Sequence, residues 1–170
     1  MALGSGYDAQ DCAVARALEV VGERWTMLII RDCFLGVRRF SDLQVHLDIS
    51  KAVLTDRLNL LVDRGVLERD GDGGHQEYLL TKAGRALAPV LATLSSWGRT
   101  YGNPDDRPTR ILVHTCGSEL DANGRCRSCD VVPRVTEMIS RQDPKRPSRR
   151  SDPVSRQLAG DHRLLDPIRP

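Results

Sequence analysis

RRFSDLQVHLDISKAVLTDRLNLLVDRGVLERDGDGGHQEYLLT, residues 38–81, holds two short amphipathic helices and a hairpin in immediate succession. Ser41 with Gln44 three residues on forms a capping-box pair, and Phe40 with Val45 can staple the helix start. Leu43 and Leu47 then share a face. Ser50 caps a second helix, flanked by Ile49 and Leu54. Leu54, Leu58 and Leu61 keep an i, i+4, i+7 stripe until Gly65 stops it. After Gly65 the period changes to that of strands. Residues 66–69 and 76–80 read as two strands around the glycine-rich turn of residues 70–75. Helix, turn, helix, hairpin is the order of a winged helix-turn-helix, which sets its second helix in a DNA major groove and its wing along the phosphates. The same architecture can also dock a protein in place of DNA.

Further residues extend the pattern on both sides. Cys12 opens a helix, Gly22-Glu23-Arg24-Trp25 introduces the next, and Arg38-Arg39-Phe40-Ser41-Asp42-Leu43 enters the helix-turn-helix. Ile49-Ser50 and Leu54-Thr55-Asp56-Arg57-Leu58 mark the second motif helix, and Glu77-Tyr78-Leu79-Leu80-Thr81 closes the wing. Gly84, Leu87, Pro89 and Trp97-Gly98 mark the final helix. This run, about residues 10 to 100, resembles the HxlR-type family of bacterial winged-helix transcriptional regulators, relatives of the MarR type. The resemblance implies a homodimer on an inverted-repeat operator, regulating a neighbouring gene. It also implies that Cys12, at a helix start where thiolate is favoured, is a candidate redox or electrophile sensor. Asp11 opposes that shift, and a small buried thiol is the commoner fate of a lone cysteine. The wing departs from the family pattern, with Gly73-Gly74-His75-Gln76 where prolines and a basic residue are common.

At 170 residues, 40% hydrophobic but only 4% aromatic, the chain is long enough for one aliphatic-cored domain with an extension. No run of about 18 apolar residues suggests a membrane span, and Met1 to Tyr7 lack the make-up of a signal peptide. A cytoplasmic protein with no membrane partner is expected, its five cysteines serving as thiols or metal ligands instead of disulfides. The net charge is only +2. DNA affinity therefore has to come from a local basic surface and to fall steeply with salt.

The expected organisation is α+β: a winged helix-turn-helix with a helical dimer interface, a small C-terminal zinc-ribbon-like hairpin and a disordered tail. Residues 1–10 read as a disordered N-terminus and 11–101 as the DNA-binding domain. Within it, Asp11 caps a helix over residues 12–21, and a second runs from Trp25 to near Gly36. A long helix runs from Thr81 to Tyr101, kinked at Pro89. Residues 102–110, with Pro104 and Pro108, read as a linker, 111–140 as the Cys/His unit and 141–170 as a disordered basic tail. That tail has five prolines and no aromatic residue, a composition that offsets little ordering entropy. It would solubilise the chain or add nonspecific phosphate attraction.

Arg38, Arg39, Ser50, Lys51, Thr55, Arg57, Asn59, Arg69 and His75 are the candidate DNA-binding residues. Ser50 and Lys51 sit at the helix end nearest DNA, Thr55 and Asn59 face away from the leucine stripe, and Asn59 could read adenine. Arg57, on the flank of the stripe, would snorkel to phosphate. The wing contact of His75 is the least secured by pattern.

Outside the winged helix, His114-Thr115-Cys116-Gly117 and Cys126-Arg127-Ser128-Cys129 carry the strongest signal. Two cysteines separated by two residues are a common half of a tetrahedral zinc site. His114 and Cys116 offer the other half, although their spacing is tighter than usual, and Asn123-Gly124 suits the turn between them. Zn²⁺ held by His114, Cys116, Cys126 and Cys129 is the favoured reading. A metal-free hairpin and a Cys126–Cys129 redox pair stand beside it. No phosphate loop, nucleophile elbow or His-Glu-x-x-His motif is present. The chain therefore reads as a non-enzymatic, dimeric, sequence-specific DNA-binding regulator, open to a small-molecule or electrophile effector. The alternative is a winged-helix protein-interaction module.

Overall fold

A computed structural model describes residues 6–7, 10–72, 76–102, 110–143, 146, 148 and 150–170. Helices α1 (Ala13–Val21), α2 (Thr26–Phe34), α3 (Phe40–Leu47) and α4 (Lys51–Asp63) are followed by the hairpin β1 (Leu67–Asp70) and β2 (Glu77–Leu80). Ser50 caps α4 through its hydroxyl, which accepts from the Val53 N–H at 3.3 Å. Leu54, Leu58 and Leu61 are fully buried, each burial stabilising by about 1.5–3 kcal/mol. At the other end Gly65 takes φ +68, and Val66 N–H reaches back to the Leu61 carbonyl at 2.9 Å. That left-handed turn stops the helix and points the chain into β1.

The hairpin is antiparallel, pairing Leu67 with Leu80 and Asp70 with Glu77. Tyr78 and Leu80 alternate inward along β2. The segment before α3 joins its edge, with Tyr78 N–H donating to the Arg38 carbonyl at 2.8 Å. The winged helix-turn-helix read from the sequence is thus the observed fold. Three local expectations are corrected. Asp11 does not cap α1, whose cap position is held by Cys12 with no side-chain hydrogen bond. The helix α3 starts at Phe40 with Arg39 at the cap position and no side-chain cap, because Ser41 already lies in the first turn and its hydroxyl bonds Asp42 instead. Pro89 does not kink one long helix: α5 (Lys82–Arg85) ends, and α6 (Ala88–Tyr101) begins with the proline in its first turn. There the missing N–H costs no helical hydrogen bond.

Beyond the winged helix, β3 (Arg110–His114), β4 (Met138–Gln142) and β5 (His162–Arg163) form an antiparallel sheet in the order β3-β4-β5. Between β4 and β5 lies α7 (Pro153–Gln157), capped by Asp152. The expectation of a disordered tail over 141–170 is corrected for residues 150–170. Val154, Leu158, Leu164 and Ile168 are at most 5% exposed and join the same apolar core as α2–α4. The Leu165 N–H donates to the Phe34 carbonyl at 2.7 Å and the Ile168 N–H to the Gly36 carbonyl at 2.9 Å. Gly36 makes this approach possible: it takes φ +80, and a Cβ there would lie 1.7 Å from the Asp166 carbonyl oxygen. Four apolar residues among prolines and arginines are too few to build a core, but they suffice to complete one. Nor does the Cys/His segment stand apart, since Leu120, Cys126 and Met138 belong to that shared core. Most of the expected linker, residues 103–109, lies outside the described residues.

Candidate nucleic-acid interface and metal centre

With the leucine stripe turned inward, α4 leaves Lys51, Ala52, Asp56 and Asn59 exposed on its outer face. Ser50, exposed at the cap, keeps its hydroxyl oxygen on a backbone N–H, while Thr55 donates its hydroxyl proton to the Lys51 carbonyl at 2.8 Å. Neither group is idle in the free protein, yet Thr55 retains lone pairs and Lys51 keeps all three ammonium donors on the surface. Asn59 accepts a hydrogen bond from the Arg69 guanidinium, so the helix and the first wing strand meet through these two candidates. Arg39 is exposed at the start of α3.

Two other candidates are occupied with the fold. Arg57 pairs with Glu23 at 3.1 Å across to the turn before α2, and its Nε is buried without a partner among the described residues. Arg38 donates to the Leu165 carbonyl at 2.8 Å and faces Glu77 at 3.5 Å, pinning the C-terminal segment to the wing. His75 lies outside the described residues. Local pattern does not reveal the fully buried Asp32, whose carboxylate lies 2.6 Å from His46 Nδ1 and 2.6 Å from Arg31. A lone aspartate on an apolar helix stripe reads as an outward residue until its partner on α3 is placed beside it.

The second cluster is compact. The ligand-type atoms of His114, Cys116, Cys126 and Cys129 all lie within 4.8 Å of one another. His114 Nδ1 is 3.2 Å from Cys116 Sγ, which is 3.5 Å from Cys126 Sγ. His114 ends β3, and Cys116 sits in the turn after it, where Gly117 takes φ +90. The 126–129 turn brings the Cys129 N–H to 3.4 Å from Cys126 Sγ. Burial acts to raise the Cys126 thiol, but the backbone N–H groups of Cys129 and Ser128, with Cys116 and His114, outweigh it and bring it down to about 6. Its neighbours Cys116 and Cys126 push Cys129 up to about 11. The cluster thus favours the thiolate at Cys126 over that at Cys129, and its four side chains are of types that can ligate a metal ion.

Cys12 and Cys33 contrast. Cys12 is exposed at the cap of α1, where the Ala15 and Val14 N–H groups lower its pKa. Cys33 is buried, and burial together with Asp32 drives its thiol upward, away from reactivity.

Set beside known proteins, the winged segment has close counterparts. The model of the HxlR-like helix-turn-helix family matches residues 20–106. The chain belongs to this family. The HTH-type transcriptional regulator MT3179 of Mycobacterium tuberculosis is 43% identical over 121 residues, covering 69% of this chain and 77% of its own. YvaP of Bacillus subtilis, also an HTH-type transcriptional regulator, is 36% identical over 93 residues, covering 52% and 86%. Among solved structures, PA1607, a proposed transcription factor, is 40% identical with a TM-score of 0.61, covering 72% of this chain and 88% of that one. This member of the family is accordingly a DNA-binding transcriptional regulator of the helix-turn-helix type. No helix among its described residues is long and apolar enough to cross a membrane.

Proposed function

We propose that this HxlR-like regulator binds an inverted-repeat operator as a symmetric dimer, with α4 of each protomer in the major groove and the β1–β2 wing against phosphate. The observation that carries this is the division of α4: Leu54, Leu58 and Leu61 are fully buried, Lys51, Asp56 and Asn59 are exposed away from them, and Asn59 is hydrogen-bonded to the wing residue Arg69. Lys51 and Arg69 supply the phosphate-seeking charge, and Asn59 supplies the paired donor and acceptor that suit a base edge. The apolar surface of α1 and α6 supports the dimer. Val14, Leu94, Trp97 and Tyr101 are 50–72% exposed, more than a soluble monomer leaves uncovered on two helices.

The Cys/His cluster fits zinc. Tetrahedral ligands at about 2.3 Å from the metal lie roughly 3.8 Å apart, close to the separations observed here. His114, Cys116, Cys126 and Cys129 would fill all four positions, so the metal would cross-link two turns and leave no open position for catalysis.

Selection from random DNA is the test. A palindrome with half-sites about one helical turn apart should be enriched. Lys51→Ala should weaken binding to every sequence and flatten the salt dependence by about one unit, whereas Asn59→Ala should relax preference at one position of each half-site. Failure to enrich any sequence at low or moderate salt would overturn the operator reading in favour of a protein-docking winged helix.

A further inference from the structure

A cavity of about 320 Å³ lies where the winged helix meets the C-terminal sheet. Met27 and Phe34 of α2, Leu91 of α6, Leu112 of β3 and Met138 of β4 are among the side chains that wall it. Its volume falls at the low end of the range for small-molecule pockets, with room for a ligand of about a dozen non-hydrogen atoms. The polar part of the lining is one-sided. Among the described residues it includes Arg31, Arg110, Ser95 and Ser140 and no carboxylate.

Arg110, half-buried, donates to Ser140 Oγ and to the carbonyls of Ser140, Leu158 and Gly160, all of them neutral acceptors. The acid nearest in charge, Asp161, is held by Arg141 at 2.8 Å through two guanidinium nitrogens. Arg31 pairs with Asp32, whose carboxylate also contacts His46. An apolar pocket with two arginines in its wall and, among the described residues, no carboxylate in its lining complements one kind of molecule: an apolar body bearing a single anionic group.

We propose that this cavity is a binding site for a small amphipathic carboxylate, its hydrocarbon or aromatic part between α2, α6 and the β3–β4 strands and its carboxylate toward Arg31 and Arg110. The site is built jointly by the family segment and the C-terminal extension. A ligand there touches α2, which packs directly on α3 of the DNA-reading motif. Binding itself is measured without DNA, so the site stands or falls separately from the operator reading.

Octanoate and 1-octanol share an apolar chain and differ in charge, which makes them suitable probes for calorimetric titration of the full-length protein. Octanoate should saturate at one per chain and bind at least tenfold more tightly than 1-octanol. Ile111→Trp, which fills the cavity from β3, should weaken octanoate at least tenfold. Arg31→Gln should shrink the preference over 1-octanol to threefold or less. Should Ile111→Trp fail to fold, Ser95→Trp fills the space from the exposed side of α6. Equal affinity for the two probes, or octanoate binding indifferent to whichever tryptophan variant folds, overturns the proposal. So does absent octanoate binding together with a dimer weakened by Ser95→Trp, which would identify a second copy of the chain as the occupant.

Discussion

Asp152 shows how much of this structure depends on single polar side chains at element ends. Its Oδ1 accepts from the Ser155 N–H at 3.0 Å, and its Oδ2 accepts from the Ser155 hydroxyl at 2.6 Å and from Arg150 at 3.1 Å. Burial acts to raise its pKa, but those bonds and the charge of His46 prevail and hold it at about 2. An unfolded aspartate titrates near 3.9, so the native state binds its proton less readily than the unfolded chain does. The resulting stabilisation is full above about pH 4 and is lost as pH falls through about 2. Asp152→Asn keeps a capping oxygen while removing the charge. It should lower stability at neutral pH, and the deficit against wild type should close on acidification between about pH 4 and 2. Denaturant melts at several pH values check this. A deficit independent of pH would assign the effect to shape instead of charge.

At the scale of elements, legibility followed the period of the apolar residues. The leucines of α4 at helical spacing, and the change to alternation after Gly65, needed only local geometry, so the winged motif could be read directly. The gathering of His114, Cys116, Cys126 and Cys129 was legible because few residue types serve as metal ligands. Residues 150–170 were not, because Val154, Leu158, Leu164 and Ile168 have no period of their own. The core they join includes residues of α2 and α3 more than 100 positions earlier, and composition averaged over the segment hides them. Arg38 and Arg57 illustrate a related limit: a basic residue near a DNA-reading helix looks unengaged until Leu165 or Glu23 is brought to it. Ile168 is 5% exposed, so Ile168→Ala should cost about 2–4 kcal/mol in chemical denaturation if the C-terminal segment belongs to the folding unit. A loss under 0.5 kcal/mol would mean that the segment is a loose appendage. The metal cluster makes a parallel prediction. Purified protein should contain about one zinc per chain, and chelation should raise amide exchange across residues 111–132 first, since metal ligation there is folding energy. A metal-free preparation with that segment equally protected would remove zinc from the account.

For the whole molecule, one continuous core runs from α2–α4 into the C-terminal sheet, while the faces of α1 and α6 are left apolar and exposed. On α6, Trp97 and Tyr101 are 60% and 72% exposed, with ring centroids 5.9 Å apart. Neither contributes to the protomer's own core, so a charge at Trp97 leaves that core intact and acts only on what covers the helix. In a two-fold dimer the same surface meets itself, which places each glutamate of Trp97→Glu in a desolvated, like-charged interface. Sedimentation should therefore find the variant monomeric with unchanged far-ultraviolet circular dichroism. Operator affinity should fall with it by about 10²–10⁴-fold, because two linked half-site contacts become two independent ones. The coupling of the two losses is the decisive part. A monomeric Trp97→Glu protein that holds its operator at full affinity would show that each protomer reads DNA alone, and the exposed face of α6 would then need a different partner.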